Sequence, residues 1–149
     1  MKKANLTLGL IIALIAGIFS QPAFAETAQN DVAELNALFI KVADAISQSS
    51  TPQQAEAAMA DMERVDFKTS TTKITDADRK ELIGNFCRVV RAMTDLSIKS
   101  EGVDPETPEV KAMVDSTIQQ ITSRLEQSTA KATTLGEFHE QMNNTMSQF

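Results

Sequence analysis

The chain has 149 residues, a formal net charge of −6, a single cysteine, and neither tryptophan nor tyrosine. One cysteine excludes an internal disulfide framework, so a small fold built from it must rest on its apolar core. The acidic balance argues against nucleic acids and anionic lipid surfaces, which repel such a chain over about a Debye length of 10 Å.

The first 25 residues have the layout of an export signal. Lys2 and Lys3 are followed by an apolar run from Leu6 to Phe19, the polar patch Ser20-Gln21-Pro22, and the small-residue site Ala23-Phe24-Ala25. This order predicts a secretory signal peptide cleaved after Ala25. The apolar run falls short of the about 20 residues of a membrane span, and no later segment is apolar enough to make one. The residue after the cut is Glu26, so a lipidated cysteine is not expected there. Residues 26–149 are then a single helical domain of 124 residues, exported to the bacterial periplasm. With the two leader lysines gone, 12 basic residues face 20 acidic ones and the processed chain carries −8.

Helical periodicity runs through the rest of the chain. Asn30 is placed to cap a first helix, with Asp31 and Glu34 near its positive end. Val32, Leu35, Phe39, Val42 and Ile46 then recur at steps of three and four, and Leu38 widens the seam. Lys41 and Asp44 fall on the wet side, Ile40 falls off the seam, and Gln48-Ser49-Ser50 ends the helix. Thr51-Pro52-Gln53-Gln54 predicts a second start, with threonine as cap, proline in the first turn and Gln54 completing a capping box. Ala55, Ala58, Met59, Met62 and Val65 form its inner face. Residues 66–74 are polar and threonine-rich and predict a loop, with room for a short extended piece and with Phe67 turned inward.

Thr75 or Asp76 opens the third helix, supported by Asp78 and Glu81. Leu82, Phe86, Val89, Val90, Met93 and Leu96 line its core face. Arg91, Asp95 and Lys99 are spaced for pairing along the wet side. Gly102 is the expected left-handed stop. Thr107-Pro108 then starts a fourth helix with Val110, Met113, Val114, Ile118, Ile121 and Leu125 inward. Residues 128–133 lack large apolar side chains, so the helix frays or bends there. Thr134-Leu135-Gly136-Glu137 reads as a further capping box. Leu135, Phe138, Met142, Met146 and Phe149 make a last stripe. The expected fold is all-α: an antiparallel four-helix bundle with a short additional C-terminal helix.

Few residues suggest chemistry. His139, Met142 and Met146 share one helical face at steps of three and four, and imidazole and thioether donors suit a soft ion such as Cu(I). Leu135 and Phe138 lie on that face too, so the same pattern reads as an apolar stripe in which methionine fills gaps. Cys87 flanks the core face of the third helix. It reads either as a half-buried small hydrophobe or as a free thiol, which Arg88 and Arg91 would activate and which could join two chains. The acidic sets Asp61, Glu63, Asp66 and Asp104, Glu106, Glu109 lack the glycine of a calcium loop. One histidine cannot supply the two Glu-x-x-His pairs of a di-iron bundle. The haem-attachment pattern C-x-x-C-H, the G-x-S-x-G elbow and a phosphate-cradling glycine loop are absent from the sequence.

No cofactor and no enzymatic activity are expected. The favoured reading is a non-enzymatic interaction module that binds another envelope protein, one with a basic groove to suit the acidic surface. A homodimer through Cys87 or a helical face is also open. The alternatives are a copper-binding protein using His139, Met142 and Met146, and a carrier of a small hydrophobic ligand in the bundle core.

Overall fold

The computed structural model describes residues 32–63 and 69–149. The expected signal peptide, the Asn30 cap, and the inward positions of Val65 and Phe67 lie outside the described residues. Among the described residues five helices occur in order: α1 (Val32–Ser47), α2 (Pro52–Glu63), α3 (Asp76–Ser100), α4 (Pro108–Thr129) and α5 (Leu135–Met146). The protein is all-helical, and its helices pack as a bundle.

Local chemistry sets most helix ends. Thr75 caps α3: its hydroxyl accepts from the Asp78 amide at 3.1 Å, and the Asp78 carboxylate accepts from the Thr75 amide at 2.8 Å. Two donors that the first turn leaves orphaned are thereby satisfied. At the other end of α3, Gly102 has φ +79°. Its N–H donates to the Lys99 carbonyl at 2.9 Å while that of Val103 reaches back to Ile98 at 3.2 Å. This is the Schellman arrangement, which needs the left-handed residue that glycine supplies.

Three predicted caps differ in detail. Gln54 accepts from the amide of Ser50 rather than that of Thr51, at 2.8 Å. Glu137 likewise reaches one residue past the cap, to the Thr133 amide at 3.2 Å, while Thr134 caps the Glu137 amide at 3.3 Å. Thr107 precedes proline as expected, but its side chain makes no capping bond. The turn before α4 is held instead by Asp104, whose carboxylate accepts from the Glu106 amide at 2.9 Å.

The longest helix, α3, lies at the centre of the packing, against α1, α2 and α4, and α5 packs on α4. Side-chain pairs give the directions. Asn36 meets Asn85 and Phe39 meets Phe86, while Ile46 and Ser47 share a crevice with Ala92 and Leu96, so α1 and α3 run parallel. Cys87 faces Thr122 and Arg79 reaches Ala132, so α3 and α4 are antiparallel, and Ser128 of α4 meets Thr145 of α5. The parallel pair arises because α2 turns the chain back before α3 begins.

The predicted seams point inward. Leu35, Phe39, Val42, Ile46, Ala55, Met59, Met62, Leu82, Phe86, Val89, Val90, Ile121, Leu125, Leu135, Phe138, Met142 and Met146 belong to one buried cluster. The rings of Phe39 and Phe86 meet edge to face with centroids 5.9 Å apart, a favoured geometry for paired quadrupoles. The extended piece foreseen before α3 occurs as a single antiparallel bridge between Lys73 and Thr134. Around it the Ile74 amide donates to Thr133, Leu135 to Thr72 and Gly136 to Ser70, at 3.0, 2.8 and 3.0 Å. The break expected within 128–133 is present. Helix α4 runs to Thr129, after which the guanidinium of Arg79 binds the Ala132 carbonyl at 2.6 Å.

Candidate functional site

Helix α5 carries His139, Met142 and Met146 on its buried face, at 5%, 2% and 1% exposure. The face exists because Leu135, Phe138, Met142 and Met146 all join the common core, and His139 follows Phe138 inward. The two thioethers are thus packed among apolar side chains. Among the described residues, no three His, Cys, Asp or Glu side chains form a group able to hold a metal ion. Met59 and Met62 of α2 are also buried in the core.

The last apolar position of this stripe is not where the sequence put it. Phe149 lies beyond the end of α5 and is 38% exposed, with the Arg124 guanidinium 4.7 Å from its ring centroid. A cation–π contact outside the bundle replaces the expected core contact. Ile40, expected off the seam, is 37% exposed.

Cys87 is a buried thiol in the seam between α3 and α4. Its sulfur lies 3.3 Å from the Thr122 hydroxyl. That hydroxyl also reaches the Ile118 carbonyl at 2.8 Å, and either partner of the Cys87–Thr122 contact can be its donor. Burial pushes the Cys87 thiol above its ordinary value, and nearby Glu126 adds to this; the Thr122 hydrogen bond and the charge of Arg91 oppose it without prevailing. Of the two arginines, Arg91 acts on the thiol in the expected direction, and burial outweighs it. Arg88 points to solvent, and Arg91 is committed elsewhere.

That commitment corrects an expectation. Arg91 pairs with Asp115 across the α3–α4 interface, not with Asp95 one turn along. Asp95 is left half-buried beside Ile46, Ser47, Ala92 and Leu96. Burial raises its carboxyl above the usual carboxylate range; Arg91 and Lys99 pull it down, while Glu106 and Asp115 push it up.

Sequence reading missed one buried polar pair. Asn85 donates to Asn36 at 2.8 Å between α3 and α1, and the two side chains are 8% and 5% exposed. The signal was present: Asn36 is flanked at helical spacing by Val32 and Phe39, and Asn85 by Leu82 and Val89. Asn36 also lines an open groove of about 490 Å³ with Ala33, Ala37 and Ile40 of α1, Thr72, Lys73, and Asp78 and Glu81 of α3.

A run of acidic surface charge lies at the corner joining α3 to α4. Glu101, Asp104, Glu106 and Glu109 are all exposed there, and residues 101–110 include no basic side chain. Lys111 approaches Glu106 at 3.8 Å. The corner is ordered by the Gly102 stop, the Asp104 turn and buried Pro105, and it presents Val103 at 39% exposure.

No protein-family model matches the chain, and no curated protein or solved structure matches it. Among the described residues, no helix is long and apolar enough to cross a membrane.

Proposed function

We propose that the protein is a non-enzymatic interaction module of the bacterial envelope that docks a cationic surface on another envelope protein. The observation that carries this reading is the α3–α4 corner, where Glu101, Asp104, Glu106 and Glu109 are exposed in the same short capped segment as exposed Val103. Opposite charge on a partner would be steered to such a corner, and an apolar contact at Val103 would add to the docked state. The placement of Cys87, His139, Met142 and Met146 supports the reading, because all four are buried.

The test is affinity capture with crosslinking from native envelope, using the processed chain and a variant carrying Glu101→Gln, Asp104→Asn, Glu106→Gln and Glu109→Gln. Asparagine at 104 keeps an oxygen for the Glu106 amide, so the turn persists. The wild type should recover a basic partner that the variant loses, with crosslinks mapping to the corner. Recovery no better than a charge-matched control, or full recovery by the variant, refutes the reading.

One observation favours a second reading, a soft-metal carrier: His139, Met142 and Met146 share the inner face of α5. Cu(I) titration of the wild type and of the His139→Ala, Met142→Ala double variant decides it. Equal binding by the two removes the proposed site.

A further inference from the structure

No further inference is drawn: the strongest candidate, the open groove between the N-terminal half of α1 and the first turns of α3, sets Lys73 against Asp78 and Glu81 beside Ala33, Ala37 and Ile40, so that nothing in the structure shows what covers it.

Discussion

The same substitution, glycine to alanine, should have opposite effects at two positions of α3 and its cap. An alanine Cβ meets no heavy atom within 4 Å at Gly84 or at Gly102. Packing therefore contributes nothing at either site, and the backbone decides. Gly84 is exposed in the interior of α3, where alanine is favoured by about 0.8–1.0 kcal/mol. Gly102 has φ +79°, where a Cβ costs about 1–2 kcal/mol. Part of that cost, roughly 0.4–1 kcal/mol, is offset because alanine also restricts the unfolded chain. Gly84→Ala should thus stabilise by nearly 1 kcal/mol, and Gly102→Ala should destabilise by up to about 1.6 kcal/mol. Urea unfolding of the processed chain, followed by circular dichroism, reads both. For a slope of about 1–3 kcal/mol/M, each midpoint moves by a few tenths of a molar, upward for Gly84→Ala and downward for Gly102→Ala. A shift in the same direction for both variants would refute the reasoning, because space and chemistry are matched and only the dihedral differs.

Three further outcomes concern the interior. Asn85→Ala strands the buried Asn36 carbonyl oxygen and should cost about 1–3 kcal/mol, and a double-mutant cycle with Asn36→Ala should return a clear coupling energy; additive losses would show that the two amides act independently. Asp95 holds its proton more tightly folded than unfolded, so its contribution is present at low pH and is lost as pH rises through its raised folded value. Asp95→Asn should therefore raise the melting temperature at pH 7, and the gain should vanish in acid below the ordinary carboxylate range; a pH-independent gain would locate the effect elsewhere. Cys87 should react with a thiol reagent far more slowly in the native protein than in urea, because it is enclosed and its thiolate is disfavoured; equal rates would contradict the α3–α4 seam as described.

Much of the candidate site was legible in the sequence only as inventory. The four acids of the α3–α4 corner can be read off directly, and Gly102 already marked the stop that presents them. That Val103 is exposed beside them and Pro105 buried was not legible. His139, Met142 and Met146 were correctly placed on one helical face, and spacing alone could not say that this face is enclosed by the bundle. Arg91 shows the limit most clearly. Two carboxylates were available to it, Asp95 by local spacing and Asp115 only through folding, and the distant one holds the ion pair.

The sequence by itself determined that the chain is helical, where α3 and α5 start and α3 stops, and which side of each described helix turns inward. These properties are local. A hydrogen bond from one turn to the next, a capping side chain three residues away and an apolar repeat of three and four are all written within a short stretch. Only the tertiary structure decided which faces meet: that α1 runs parallel to α3, that Asn36 finds Asn85, that Cys87 lies against Thr122, and that Phe149 leaves the core for Arg124. Apolar burial is non-directional and selects a face without naming its partner, whereas polar pairing depends on distances between helices that exist only once the bundle has closed.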